Sequence, residues 1–192
     1  MREANLGETL RRLRRVAQLS LRALAEKTRF SASFLSQVEN GQASPSLASM
    51  ERIALALGMT LGQIFEGVER AVSPSVVTRV EARVALNSDW SKARLEALSV
   101  PGPGARLEPV MLILSPGGTS GAKPYSSHRE EFAFLLEGTV LLSLEEPEAE
   151  TETAVQQHEL HRGDSVTIRP GVARRWQNLT DSPVQVLIVS AR

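Results

Sequence analysis

The sequence predicts a two-domain α + β protein: a five-helix N-terminal globule followed by an all-β C-terminal domain with the strand pattern of a small barrel. Through residue 66 apolar residues recur every three or four positions, the period of amphipathic helices. From Ser73 to Ser75 a Ser-Pro-Ser breaks that period, and beyond it short β-rich segments alternate with Gly and Pro turns. A chain of 192 residues has room for two such units, each long enough to bury a core. The reading divides it into a head at 1–66, a linker at 67–75 and a barrel at 76–192.

Leu6, Leu10, Leu13 and Val16 mark the first helix, Leu21, Leu24 and Ala25 the second, and Leu35 and Val38 the third. Ser20 and Ser31 stand where a hydroxyl can accept from the free amides of the turn that follows, so each is an expected N-cap. Between these two short helices lies the turn Thr28-Arg29-Phe30. Leu47, Met50, Ile53, Ala54 and Leu57 give the fourth helix, stopped by Gly58. Thr60 and Gln63 form a capping box for the fifth, which carries Leu61, Ile64 and Phe65. Connections this short force the helices to fold back on one another.

Past the break, "SVVTRVEARVAL", "PVMLILSPGG", "EFAFLLEGTVLLSL", "DSVTIRPG" and "SPVQVLIVSA" read as strands. The acidic stretch "EEPEAETET" lacks apolar anchors and reads as a solvated hairpin loop.

Composition narrows the function classes. There is no cysteine, which excludes disulfides, thiolate zinc sites and redox thiols. Lys and Arg balance Asp and Glu at 22 each, yet unevenly: ten against seven through residue 70, twelve against fifteen after it. A basic head on an acidic body suits a nucleic-acid partner. Arg11, Arg12, Arg14 and Arg15 interrupt the first apolar positions, unlike a signal peptide, and no later run has membrane-spanning length. A cytoplasmic location with no membrane partner is the expectation.

Two short helices around a tight turn make a helix-turn-helix, whose second helix enters the major groove. The stretch resembles the lambda repressor-like family, also called the xenobiotic-response-element regulators, over residues 6 to 66. The resemblance rests on Leu10, Leu13 and Arg14, "LS" at 19–20, Leu24-Ala25, Ser31, "LSQVENG" at 35–41, Pro45-Ser46 and "IALALGMTLGQIF" at 53–65. It implies double-stranded operator DNA as partner and an internal ion pair between Arg14 and Glu39. Arg29 replaces the turn glycine of the family pattern, and Gln18 another glycine before the second helix. A side chain in a left-handed conformation there costs on the order of 1 kcal/mol.

With Leu35 and Val38 inward, Ala32, Ser33, Ser36 and Gln37 are expected to face base edges: Gln can pair with adenine, Ser donates or accepts, and Ala sits against a thymine methyl. Ser20, Arg22, Ser31, Asn40 and Gln42 are expected to hold phosphates. Arg11, Arg12 and Arg15 either add non-specific attraction or form a solvated helical face. Phe34 is expected to pack, partly buried.

The segments "PGG", "EEFAFLLEG", "GDS" and Asn178 resemble the cupin family over residues 105–190. The resemblance implies a double-stranded β-helix, or jelly roll, whose family pattern gives three His and one Glu to a metal. Here those positions fall on Tyr125, Ser127, Glu131 and Arg174, with His128 one residue displaced. A guanidinium cannot coordinate a cation and repels it, so no metal and no cofactor is expected. His158 and His161 read as surface residues. Strand alternation puts Arg174 and Trp176 on the cavity face with Tyr125, His128 and Glu131 nearby. Two readings stay open. Either these five residues bind a small, anionic metabolite such as a carboxylate, or an amino acid, or Arg174 and Glu131 pair with each other in a barrel that binds nothing.

A head of this kind on a cupin tail resembles bacterial regulators that bind operators as homodimers and respond to metabolites. The expected protein is a non-enzymatic transcriptional regulator, a repressor, with a small-molecule effector. The rivals are a cupin enzyme with an accessory DNA-binding head and an antitoxin-type autorepressor.

Overall fold

The structure is a computed structural model, described here for residues 6–68, 77–99, 105–146 and 155–191. The Ser-Pro-Ser break and all but the first two residues of the acidic stretch lie outside the described residues. Five helices form the head: α1 (Leu6–Val16), α2 (Leu21–Thr28), α3 (Ala32–Glu39), α4 (Leu47–Ala56) and α5 (Leu61–Val68). Ser20 and Ser31 cap α2 and α3, accepting from the amides of Ala23 and Phe34 at 3.0 Å each. Thr60 and Gln63 close the expected capping box, with 2.8 and 3.0 Å bonds.

Leu10, Leu24, Leu35, Val38, Met50, Ile53, Ile64 and Phe65 meet in the core of the head. Val16 does not join them and is 74% exposed, because α1 ends on it and no further turn carries the apolar stripe toward a partner. Gln18 and Arg29 adopt left-handed φ of 56° and 54°, the conformations that glycine serves more cheaply. Arg14 and Glu39 form the buried pair that fixes α1 to α3, through Nε–Oε1 at 2.6 Å and Nη2–Oε2 at 2.8 Å. Such bidentate geometry is needed to offset two desolvated charges.

The second half is an antiparallel jelly roll. Its strands are β1 (Ala85–Ser88), β2 (Ala93–Ala97), β3 (Leu107–Leu114), β4 (Tyr125–Ser126), β5 (Glu131–Glu137), β6 (Thr139–Glu145), β7 (Val155–His161), β8 (Ser165–Ile168), β9 (Ala173–Gln177) and β10 (Val184–Ala191). They order as β1-β2-β3-β10-β5-β8 and β4-β9-β6-β7. Leu112, Leu114, Leu135, Leu142, Trp176, Val184 and Val186 fill the space between the two sheets.

"SVVTRVEARVAL" forms much less strand than its β-branched residues predict. Among the described residues the strand starts at Ala85, against the five-residue β2, with the Val84 carbonyl accepting one further bond from the Ala97 amide, and Val80–Ala82 is a 3-10 helix with Val80 exposed. β-propensity needs a ladder to act on, and the short partner supplies none upstream. Conversely "ARLEA" at β2 pairs with β3 although its charged residues gave no strand signal.

Head and barrel touch through α4, α5 and the barrel mouth. The Ala48 amide donates to the Ser120 carbonyl at 3.1 Å, and the Thr60 hydroxyl to Glu108 Oε1 at 2.6 Å. Gly121 and Gly62 permit this approach: a Cβ on Gly121 would lie 2.5 Å from the Ala48 Cβ, and one on Gly62 would lie 2.9 Å from Glu108 Cδ.

Arg14→Met should destabilise the head by about 3 kcal/mol, because it strands the Glu39 carboxylate in a buried site. Urea denaturation followed by circular dichroism measures it, and a loss below half that value contradicts the bracing role.

Candidate nucleic-acid interface and barrel mouth

Two short caps decide what α3 can present. The Ser20 and Ser31 hydroxyls accept from backbone amides, so each leaves its own O–H donor for a phosphate. Phe30 and Phe34 pack edge to face with ring centroids 5.1 Å apart, as expected for Phe34. Leu35 and Val38 are buried, and Ala32, Ser33 and Gln37 are exposed on the opposite side. Ser36 is half-buried beneath them and accepts weakly from Asn40 Nδ2 at 3.4 Å. Arg22 and Gln42 are exposed at the start of α2 and just past α3.

Three arginines differ from one another in a way the sequence did not show. Arg11 bonds to Glu39 and to Asn40 Oδ1, so both Arg11 and Asn40 are held internally. Arg12 donates to the Gly67 carbonyl at 2.7 Å. Arg15 is exposed. Arg52, a residue with no sequence signal, donates to the Thr28 carbonyl at 2.6 Å and lies 4.5 Å over the Phe30 ring. It ties α4 to the turn of the helix-turn-helix.

In the barrel, β4 and β9 place Tyr125 opposite Arg174. The Arg174 guanidinium stacks 4.3 Å over the Tyr125 ring, and its Nη2 donates to Glu131 Oε1. Both partners of this ion pair are 2% exposed at the side chain. Of the two readings left open by the sequence, the pairing is therefore the arrangement present, and Arg174 is not a free cation. Burial pushes the Glu131 carboxyl up despite the attraction of Arg174, and burial likewise pushes the Tyr125 hydroxyl up.

Trp176 shares a strand face with Arg174 but lies deep in the core, outside the walls of the mouth, which corrects its expected place in a pocket. His128 is exposed and accepts from its neighbour Arg129 at 3.4 Å. His158 and His161 are exposed on β7. The residues at the family's metal positions do not fit a metal: one is a guanidinium already bonded to the one carboxylate among them.

The mouth itself is a small chamber that the barrel shares with the head. Tyr125, Arg129, Glu131 and Arg174 form one wall, while Leu55, Met59 and the Glu51 carboxyl come from α4 and the turn after it. Arg129 pairs with Glu108 at 3.2 Å. The open volume is about 30 Å³, room for a water molecule or two. Desolvation and the nearby Glu131 carboxylate push the Glu51 carboxyl up to about 7, against the pull of Arg174 and Arg129, with Glu108 adding to the rise. Glu51, Glu108 and Arg129 carried no signal in sequence, and Thr60 only that of a helix cap, because only the docking of the head on the barrel brings them together.

Residues 5–66 match the family described as a helix-turn-helix domain, and residues 110–190 match the cupin domain. The chain is 24% identical over 172 residues to the HTH-type transcriptional regulator PuuR of Escherichia coli (strain K12), covering 90% of this chain and 86% of that protein. Among solved structures, an HTH_3 family transcriptional regulator from Vibrio cholerae superposes with a TM-score of 0.70 at 21% identity, over 98% of this chain and 96% of the other. The hydroxypropylphosphonic acid epoxidase from S. wedmorenis superposes with a TM-score of 0.50 at 19% identity, over 98% and 97%. At such identities the two structures share the fold and nothing more specific.

The Glu51 carboxyl holds a proton in the folded protein up to about pH 7 that the unfolded chain, with the ordinary carboxyl value of 4.5, releases sooner. Its contribution to stability is therefore fully present below the unfolded value and is lost as pH rises through 7. Thermal melting between about pH 5 and pH 8 should show stability falling, and Glu51→Gln should flatten much of that slope. An unchanged slope in the variant removes Glu51 as its source.

Proposed function

The chain belongs to the helix-turn-helix transcriptional regulators that carry a cupin domain, and from that premise we propose that α3 reads an operator while the barrel senses a small molecule without catalysing a reaction. The observation that carries the first part is the exposed trio Ala32, Ser33 and Gln37, backed by the buried Leu35 and Val38. Gln37 can form a bidentate pair with adenine, and Ser33 and Ser36 add hydroxyl contacts. Ser20, Arg22, Ser31 and Gln42 ring this surface and set register on phosphates. Asn40 reaches DNA only together with Arg11, to which it is bonded.

The second part rests on the mouth of the barrel, where paired charges and an extra carboxyl face a chamber closed by the head. Such a site suits sensing: its carboxylates are already engaged, Glu108 by the Thr60 hydroxyl and Arg129, and Glu131 by Arg174 and the Ser190 hydroxyl. The carboxylates Glu51, Glu108 and Glu131 line it with Arg129 and Arg174, so an anionic effector is no longer favoured by a free Arg174.

The apolar outer face of the six-stranded sheet supports a homodimer. Phe132, Phe134 and Leu136 on β5 lie beside Leu187 and Val189 on β10, all pointing away from the core. Phe132 and Leu136 are exposed. A second copy covering this face buries an apolar surface and sets two α3 helices for half-sites about one turn of DNA apart. Repression of transcription in the cytoplasm by occlusion of the promoter is the simplest outcome of such binding.

Gln37→Ala should weaken binding to a selected operator by about 1 to 3 kcal/mol and leave binding to unrelated duplex nearly unchanged. Fluorescence anisotropy on both duplexes tests it, and an equal loss on the two sinks the assignment. Phe132→Glu should convert the dimer to monomer in sedimentation velocity runs; a dimer that survives places the interface elsewhere.

A further inference from the structure

The ion pair at the barrel mouth leaves two buried groups without a hydrogen-bond partner: Glu131 Oε2, an acceptor, and Arg174 Nε, a donor. Buried polar atoms of this kind are costly unless something supplies the missing bond. Both residues line the chamber. An amine would complement the acceptor and leave the donor unmet, while a carboxylate would do the reverse. A molecule carrying both groups on one carbon complements the pair, since the two unmet atoms belong to side chains bonded to each other.

Glu51 stands in that chamber as a side chain of the head. The two guanidinium groups there pair with Glu108 and Glu131, which leaves Glu51 without an ion pair among the described residues. It lines the chamber from the head side, where a ligand bonded to Glu131 and Arg174 would meet it. The open volume of about 30 Å³ is an order of magnitude below that of ordinary small-molecule pockets. A ligand can enter only if α4 gives way. The residue after Glu51 is Arg52, which holds the Thr28 carbonyl and the Phe30 ring in the turn that leads into α3.

We infer that the chamber between α4 and the barrel takes a small zwitterion of the α-amino-acid class, which bonds to Glu131 and Arg174, displaces Glu51 and α4, and loosens the turn before α3. The inference rests on the reading of the barrel as a sensor and adds the ligand class, the head residues of the site and the route of its effect. It also fixes a sign: the ligand-bound protein holds operator DNA less tightly, since α4 then no longer braces the turn through Arg52. Ligand and operator therefore oppose each other reciprocally.

The test titrates the full chain calorimetrically with each of the twenty common amino acids, and with ethylamine and propionate as half-molecules. Operator affinity is measured alongside by anisotropy. At least one amino acid should bind about tenfold tighter than either half-molecule and weaken operator binding. Glu51→Ala, which removes the carboxyl on the head side of the chamber, should tighten that amino acid by about tenfold. A half-molecule that binds as well as the zwitterion, binding without effect on the operator, or no amino acid bound by either protein overturns the inference. An amino-acid-free metabolite extract separates the two readings. If the extract shifts operator affinity while the amino acids do not, the sensor stands and the zwitterion falls; if neither shifts it, both fall.

Discussion

A guanidinium in a dry interior has to be answered by an anion, because it can neither lose its proton nor accept a metal. Arg174 is in that position, and Glu131 is the group that answers it. The pairing explains why Tyr125 stacks on the arginine and why the barrel closes over these side chains. It also decides the chemistry: a barrel of this shape with histidines at the same positions could hold a metal, and this one holds a salt link. The resemblance in fold to an epoxidase is therefore a resemblance of scaffold, on which the site residues set the activity.

The same ion pair makes the mouth matter to the head. A buried pair with unmet hydrogen-bonding capacity creates a polar spot at the edge of an apolar core, and α4 lies across it with Glu51. Adjacent residues of that helix look in different directions: Glu51 toward the barrel, Arg52 toward the turn of the helix-turn-helix. Packed cores move between discrete arrangements rather than deforming smoothly. A helix fixed at both faces is thus a plausible element for two states, with Thr60–Glu108 and Ala48–Ser120 as the bonds broken between them.

Within the head, stability and recognition are kept apart. Arg14 and Glu39 spend their charge on each other, Arg11 joins that network through Glu39, and Arg12 ties α1 to α5 through the Gly67 carbonyl. What faces outward from α3 is uncharged: Ala32, Ser33 and Gln37. Under the proposed reading, affinity through phosphates rests on amides, hydroxyls and the exposed Arg15 and Arg22 rather than on the whole arginine run. The left-handed Gln18 and Arg29 show a head that tolerates local strain at its turns because the packing around them is sound.

The sequence by itself determined whatever local periodicity and short motifs encode. The five helices, the caps at Ser20, Ser31 and Thr60, and the positions of Leu35 and Val38 are of this kind, since each depends on neighbours within a few residues; the strands of "PVMLIL", "EFAFLLE" and "VQVLIV" were legible by their apolar runs. Tertiary structure alone decided the rest. Val80 had a strand's residues but no partner strand, and β2 had a partner but little strand character. Trp176 alternated correctly with Arg174, yet depth along the barrel put it in the core. Glu51, Glu108 and Arg129 are ordinary surface letters in the sequence, tens of residues apart. They acquire a role only because the head docks on the barrel mouth, where water is removed and a few ångströms decide which charge meets which.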